Sequence, residues 1–228
     1  FDDEYTAAYK ENGTTFEETL QVPLSQADNK DIYYNINSAS DPDANSTHYT
    51  GPFSINTTST IKAIAIDGEN TSSVATATYT KLTFTNIENI IAAGNYAVKG
   101  TVVAVATKGF VVGDGTGYIY VYLKNAPSVA VNDKVTVSGN VTLYANGKIY
   151  EFTGTPIIGT TESSNYVAED PTGYTGAEIE DFITNNHLSD YVEYEGTFTY
   201  DGYSIALEGT EVVGKISYPT SNYTSLMQ

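Results

Sequence analysis

Three tyrosines at alternate positions are the first residues in this sequence whose spacing suggests a binding surface. Tyr118, Tyr120 and Tyr122 are separated by Ile119 and Val121. Successive side chains of a β-strand point to opposite faces, so the tyrosines would share one face and the aliphatic residues the other. Flat aromatic rings in a row can stack on sugar rings or on nucleic-acid bases. We therefore predict an outward aromatic face over a buried aliphatic one.

Phe110 and Lys108 complete the ligand-binding candidates, since they lie in the preceding predicted strand and just before it. The alternative keeps the same geometry without a ligand. Tyrosine is a favourable outward residue in any strand, and a neighbouring domain can cover such a face. The spacing alone leaves both interpretations open.

A carboxylate-rich turn is a weaker candidate for a metal site. Asp41, Asp43 and Asn45 have the D-x-D-x-N spacing with which a calcium loop opens, and hard cations prefer such oxygen ligands. The pattern then departs from a calcium loop, because Ser46 stands where the loop needs glycine and Pro52 where it needs glutamate. The alternative is an Asx-rich turn whose side chains bond to the local backbone.

The sequence offers no further constellation for catalysis. It contains no cysteine, which removes thiolate nucleophiles and disulfides, and His48 and His187 have no histidine at ligand spacing. The G-x-S-x-G, P-loop and H-E-x-x-H motifs are also missing. We expect neither an enzyme nor a cofactor, and we expect both histidines to be surface or turn residues.

The charge disfavours a nucleic-acid ligand. The 228 residues carry 28 acidic and 10 basic side chains, a net charge of -18, and every basic residue is lysine. Without arginine the chain lacks the planar fork that recognises phosphate and guanine. A single-stranded nucleic-acid binder would need the lysines of residues 83–170 to converge beside the tyrosines. These are Lys99, Lys108, Lys124, Lys134 and Lys148.

Short runs of Val, Ile, Thr and Tyr between clusters of Gly, Asn, Asp and Pro predict a mainly β protein. Residues 1–82 are predicted to form a small antiparallel sandwich, with strands at 19–24, 31–36, 60–66 and 74–79. Residues 83–170 are predicted to form a closed five-stranded barrel after a short helix at 87–92. Its strands are expected at 98–106, 109–114, 118–123, 134–141 and 148–152, with turns at 114–117 and 146–147.

Residues 171–228 repeat the start of the barrel. Ile87 to Ile91 matches Ile179 to Ile183, and Gly100-Thr101, Gly109-Phe110 and Gly115-Thr116 match Gly196-Thr197, Gly202-Tyr203 and Gly209-Thr210. The order is kept while the turn lengths drift, as in a duplicated unit. The repeat would contain a helix and three strands, without strands four and five, so its open edges need a partner, another unit or further chain.

The first unit resembles a known family. Ile32-Tyr33-Tyr34, Ser40-Asp41-Pro42, Tyr49-Thr50-Gly51-Pro52-Phe53 and the runs 60–65 and 73–79 are similar to the chitobiase/β-hexosaminidase C-terminal-like module. That resemblance implies an immunoglobulin-like sandwich, which accompanies secreted, carbohydrate-active or surface proteins without performing chemistry. It names a scaffold, since fold does not fix function.

The second unit resembles the OB-fold domains of bacterial secreted proteins, through Val98-Lys99-Gly100-Thr101-Val102, the run 109–115 and the run 133–139. That resemblance implies a five-stranded Greek-key barrel and would put the tyrosines on strand three, in the region that OB-folds use for ligands.

Together these observations predict a non-catalytic accessory module that binds a glycan or a partner protein, secreted or displayed at a bacterial surface or in the periplasm. No apolar run reaches the length of a membrane helix. Because the chain begins with Phe1 instead of Met, we expect that a leader was removed, either by processing or by design of the expressed protein, and an upstream lipid anchor is compatible with this expectation. The alternatives are an OB-type single-stranded nucleic-acid binder and a pure spacer or adhesion scaffold.

Overall fold

The computed structural model describes residues 8–9, 13–26, 30–144, 149–163, 167, 170–186, 189–201 and 204–215. The chain divides into two compact units, Phe1–Thr83 and Phe84–Gln228. Both are built from strands, which confirms the mainly β prediction. In the described ranges, no helix combines the length and the apolar character that crossing a bilayer would require.

The first unit is a β-sandwich. Strands β2, β10, β8, β5 and β6 lie side by side in that order, with β9 beside β8, and β3 pairs with β7 and β1 with β4. The bounds are β1 (Ala8–Tyr9), β2 (Thr15–Phe16), β3 (Leu20–Val22), β4 (Leu24–Ser25), β5 (Asp31–Ile36), β6 (Thr47–His48), β7 (Phe53–Ile55), β8 (Ser59–Asp67), β9 (Asn70–Thr71) and β10 (Ala75–Lys81).

The sandwich core follows from strand alternation. Ala75, Ala77 and Tyr79 on β10 are buried while their neighbours are exposed, and they pack in one cluster with Val22 of β3 and Ile55 of β7. The large sheet and the β3–β7 pair thus share a single core. The predicted strand at 19–24 is interrupted, because Pro23 has no N–H to donate to a ladder.

The second unit contains a closed barrel in which the strands neighbour one another in the order β11, β12, β13, β15, β14. The parallel neighbours are β13 and β15, and the other adjacent pairs are antiparallel. The bounds are β11 (Gly94–Ala106), β12 (Gly109–Gly113), β13 (Tyr118–Tyr122), β14 (Asp133–Tyr144) and β15 (Ile149–Ser163). The predicted turn at 146–147 lies outside the described residues.

The barrel interior is apolar, and a short helical turn packs against it. The predicted helix at 87–92 is a 3-10 turn over Ile87–Asn89, and Ile87 and Ile90 are buried with the inward residues of the strands. Asp114 fixes this turn, because its Oδ2 accepts a hydrogen bond of 2.8 Å from the N–H of Ile87. The hydroxyl of Tyr150 donates to the backbone oxygen of Ile91 at 2.9 Å.

The rest of the second unit has one helix and two small sheets. The bounds are β16 (Thr172–Tyr174), α1 (Gly176–Asn185), β17 (Val192–Tyr194), β18 (Phe198–Tyr200), β19 (Ser204–Leu207) and β20 (Val213–Lys215). Strands β16 and β17 are parallel, and β18, β19 and β20 form an antiparallel sheet in chain order. The side chain of Glu178 accepts hydrogen bonds from the N–H and hydroxyl of Thr175, where the helix begins.

This segment repeats features of the barrel's first half. Gly115 and Gly209 both have positive φ, +84° and +77°, in the turn after the second strand of each meander. In each copy this turn is bonded to the preceding helix: Asp114 accepts from Ile87, and Glu180 of α1 accepts from the N–H of Glu211. Gly202 and Tyr203 of the predicted repeat lie outside the described residues.

Candidate functional site

The three tyrosines lie on the outer face of the barrel. Along β13, Ile119 and Val121 are fully buried in the core, whereas Tyr118, Tyr120 and Tyr122 are partly exposed. We call these three residues the tyrosine strip. The strip lies between β12 on one side and β15 on the other. An isolated bridge joins Tyr118 to Ser189, so the part of the second unit that follows the barrel adjoins one end of the strip.

Two rings of the strip, those of Tyr118 and Tyr120, rest on glycines of β12. A Cβ atom on Gly113 would lie 2.8 Å from a ring carbon of Tyr118, and one on Gly109 would lie 2.7 Å from the hydroxyl oxygen of Tyr120. The two aromatic side chains therefore occupy space that neighbouring side chains would otherwise fill. The hydroxyl of Tyr120 donates to the backbone oxygen of Lys108 at 2.9 Å, which fixes the ring's direction.

Phe110 is not part of this surface, and its prediction as a ligand-binding residue is wrong. Its side chain is 0% exposed and belongs to the barrel core. The pairing explains this placement. Phe110 is opposite Val121 in the β12–β13 ladder, and both residues of such a pair project to the same face, which here is the interior.

The lysines are divided between two parts of the barrel. Lys108 lies in the turn between β11 and β12, and its backbone oxygen accepts from the N–H of Leu123, so Lys124 follows close by at the Tyr122 end of the strip. Lys99 and Lys134 are exposed on β11 and β14, which pair with each other away from β13. Lys148 lies outside the described residues. The four described lysines do not converge beside the tyrosines.

Glu151 is the residue of this face that sequence reasoning missed. It pairs with Tyr120 across the β13–β15 ladder and with Thr142 across the β14–β15 ladder. Its neighbour Phe152 pairs with Val121 and points inward, so Glu151 points outward. Despite this outward direction it is only 7% exposed. Burial penalises the charged carboxylate and raises the pKa of Glu151 to about 7.

The residues beside Glu151 are polar but uncharged. On β14 and β15, the hydroxyl oxygens of Thr142 and Thr153 are 3.3 Å apart, and the amide of Asn140 donates to Thr153 at 3.5 Å. Aromatic Tyr144 pairs with Ile149 at the end of the same ladder. The outer surface across β13, β15 and β14 thus combines aromatic rings, hydroxyls, one amide and one buried carboxyl. Such groups can stack on a ring and exchange hydrogen bonds with ligand hydroxyls.

The carboxylate-rich turn has the geometry of an Asx turn. The Oδ1 of Asp43 accepts from the N–H of Asn45 at 2.8 Å, and this bond, before the others, lowers the pKa of Asp43. Asp41 is paired with the ammonium of Lys62 at 2.9 Å. Across the described ranges, no three His, Asp or Glu side chains are grouped closely enough to hold a metal ion. The calcium hypothesis gains no support from this arrangement.

His48 is exposed on β6, and its Nε2 lies 3.1 Å from the Oδ1 of Asp31. Its ring is tilted against Tyr33 with the centroids 5.1 Å apart. These contacts are those of a surface histidine on an edge strand. His187 lies outside the described residues.

Comparisons with known proteins bear on the sandwich. A family described as Fn3 associated matches residues 22–79, from the end of β3 into β10. The match indicates an immunoglobulin- or fibronectin-like associated module in this part of the chain. No curated protein and no solved structure matches the chain.

Proposed function

We propose that this chain is a non-catalytic accessory protein whose barrel binds a ligand, a glycan in preference to a partner protein, through the tyrosine strip. The observation that carries the proposal is the outward, partly exposed position of Tyr118, Tyr120 and Tyr122. Aromatic residues on the outer face of a small barrel are a common platform for flat ligands. The sandwich would serve as the scaffold, in keeping with its Fn3-associated match.

We also propose an OB-type fold for the barrel and a chitobiase C-terminal-like fold for the sandwich. The closed five-stranded barrel, with its third and fifth strands parallel, supports an OB-type barrel. The sandwich is compatible with the chitobiase C-terminal-like module, which accompanies carbohydrate-active proteins. Export to the periplasm or cell surface remains a prediction from the resemblance to secreted modules.

A nucleic-acid ligand is disfavoured by two observations. The net charge is -18, and Lys99 and Lys134 lie on strands away from the strip. Affinity for a polyanion depends on how many phosphates meet a cation, so a divided lysine set gives a weak contribution.

The proposal is tested with a glycan array and a single-stranded DNA titration at 50 and 200 mM salt. The proteins are the wild type, Tyr122→Ala and the control Tyr200→Ala, in which the replaced tyrosine is exposed on β18. Tyr122 is chosen because the bond between Tyr120 and Lys108 is then preserved.

We expect salt-insensitive glycan binding that falls at least tenfold in Tyr122→Ala and is unchanged in Tyr200→Ala. Stacking worth about 1 to 3 kcal/mol per ring gives a loss of this order. DNA binding that weakens steeply with salt would overturn the glycan assignment. Failure to bind either class would overturn ligand binding by the strip and favour a spacer or adhesion role.

A further inference from the structure

The register of the barrel places one acidic side chain directly beside the middle residue of the tyrosine strip. Glu151 lies between Tyr120 of β13 and Thr142 of β14 and points outward, yet its neighbours leave it 7% exposed. A carboxyl group that is solvated in the unfolded chain is rarely buried on an outer surface without a function or a partner. The apolar barrel core does not need Glu151, because this side chain faces away from that core.

The groups that face Glu151 are almost all neutral. From β13 these are the phenols of the tyrosine strip, and from β14 they are Asn140, Thr142 and Tyr144. From its own strand they are Ile149 and Thr153. The lysines nearest to Glu151 by strand register are Lys108 and Lys124, which are exposed at the Tyr122 end of the strip. At the Tyr118 end, Asp190 follows Ser189 and accepts a hydrogen bond from the N–H of Tyr191.

We infer that Glu151 makes the tyrosine strip selective for neutral, hydroxyl-bearing glycans over glycans that carry carboxylate or sulfate groups. This inference rests on the proposed function of the strip. A carboxyl group can accept a hydrogen bond from a sugar hydroxyl in either protonation state, and when protonated it can also donate one. An anionic ligand group beside it would meet a like charge at a site that is poorly screened by water.

Glu151 should make ligand binding by the tyrosine strip dependent on pH. The free protein carries a proton on Glu151 below about pH 7, because burial raises the pKa. Ligand hydroxyls that donate to the carboxylate favour the charged form and lower that pKa in the complex. Binding therefore releases a proton in the acidic range, and affinity rises with pH until it levels off above about pH 7.

The test begins with an array that carries neutral hexaoses of glucose, galactose, mannose, xylose and N-acetylglucosamine beside hexamers of glucuronic and galacturonic acid. The full chain is compared with Glu151→Gln, which keeps the shape and one acceptor but cannot ionise, and with Glu88→Gln, an exposed glutamate of the same unit. The strongest neutral hexaose is then titrated by calorimetry at pH 5.5, 6.5 and 7.5, each in two buffers of different ionisation enthalpy.

At pH 7.5 we expect the wild-type protein to prefer the neutral hexaose at least tenfold over the acidic hexamers. It should bind the neutral hexaose several-fold more tightly at pH 7.5 than at pH 5.5. At pH 5.5 binding should release up to one proton. In Glu151→Gln the pH dependence, the proton release and most of the preference should disappear, while Glu88→Gln behaves as wild type. The wild-type proton release reports on the inference even if the variant folds poorly.

The possible results distinguish the role of Glu151 from glycan binding by the tyrosine strip. Neutral hexaose binding that needs Tyr122 but is unchanged in Glu151→Gln would overturn the role of Glu151 and leave the strip as a glycan site. A preference for acidic hexamers would also overturn the inference. If no hexaose binds at any pH, the proposed function falls and the inference falls with it.

Discussion

Tyr120 and Gly109 fit each other across the β12–β13 ladder. A Cβ atom at position 109 would lie 2.7 Å from the hydroxyl oxygen of Tyr120 and closer still to the backbone oxygen of Val121. Gly109 also has a φ of +145°, which side-chain-bearing residues rarely adopt. The middle ring of the tyrosine strip thus keeps its place because its neighbour has no side chain.

The first prediction concerns that fit. Gly109→Ala should lower the free energy of unfolding of the barrel by about 2 to 4 kcal/mol, because it adds both backbone strain and a steric clash. Gly115→Ala is the matched control, since Gly115 has a φ of +84° but no atom within 4 Å of the added methyl. It should cost about 1 to 2 kcal/mol from strain alone. Urea unfolding of both variants measures the difference, and equal losses would show that neither the backbone oxygen of Val121 nor the Tyr120 side chain restricts position 109.

The second prediction concerns stability against pH. Burial raises the pKa of folded Glu151 from an ordinary value of 4.5 to about 7. Between these pH values the folded protein holds a proton that the unfolded chain has released, so the free energy of unfolding should fall as pH rises from 4.5 to 7, by up to about 3 kcal/mol. Above pH 7 this contribution should be constant.

Glu151→Gln removes this slope because an amide does not titrate in that range. The measurement is urea unfolding at half-unit intervals from pH 5 to 8, with Glu88→Gln as the control for the change in net charge. Asp43 and Glu178, whose pKa values are lowered by hydrogen bonds, lose their contributions only below their ordinary values and so lie outside this window. A slope that persists in Glu151→Gln would assign it to other titratable groups.

Much of the fold could be predicted from local patterns. The alternation of Ala75, Ala77 and Tyr79 marks a half-buried strand, and the run Asp31–Ile36 is a strand with the predicted bounds. In β12, unlike β13, alternation could not supply the side of the strand that faces inward. Phe110 follows Gly109 and precedes Val111 and Val112, so no polar residue marks its outward or inward side, and its pairing with Val121, and thus its burial, follows only from the assembled barrel.

The third prediction follows from that burial. Phe110→Ala should lower the free energy of unfolding by about 3 to 5 kcal/mol, as expected for the removal of a fully buried aromatic side chain. At temperatures where the variant stays folded, its affinity for any ligand of the strip should match the wild type. Thermal unfolding and the array together check both parts. A selective loss of binding in a fully folded variant would restore Phe110 as a ligand contact.

Glu151 shows a second limit of sequence reasoning. In the run Ile149 to Thr153 it is simply the polar residue between two aromatics, which suggests an ordinary solvated position. Glu151 is buried on the proposed binding face because it pairs with Tyr120, 31 positions earlier in the sequence, on one side of β15 and with Thr142 on the other side. Long-range register of this kind has no local signature, and a parallel pair lacks the short hairpin that would have fixed it.

The fourth prediction concerns the short helical turn that packs against the barrel interior. The Oδ1 of Asp114 accepts from the N–H and hydroxyl of Thr116 at 2.8 and 2.7 Å, while Oδ2 accepts from the N–H of Ile87 at 2.8 Å. One carboxylate therefore shapes the β12–β13 turn and anchors the 3-10 turn whose Ile87 is buried in the core. Because hydrogen bonds to charged groups are the stronger ones, Asp114→Ala should cost about 2 to 4 kcal/mol.

Thr116→Ala isolates the contribution of the Asp114–Ile87 bond, because it leaves that bond intact while it removes the hydroxyl bond within the turn and the 3.3 Å bond that the N–H of Glu88 donates to the Thr116 hydroxyl. Amide hydrogen exchange at Ile87 should accelerate strongly in Asp114→Ala and little in Thr116→Ala, since only the first leaves that N–H without its acceptor. Equal protection of Ile87 in both variants would mean that core packing alone holds the turn in place.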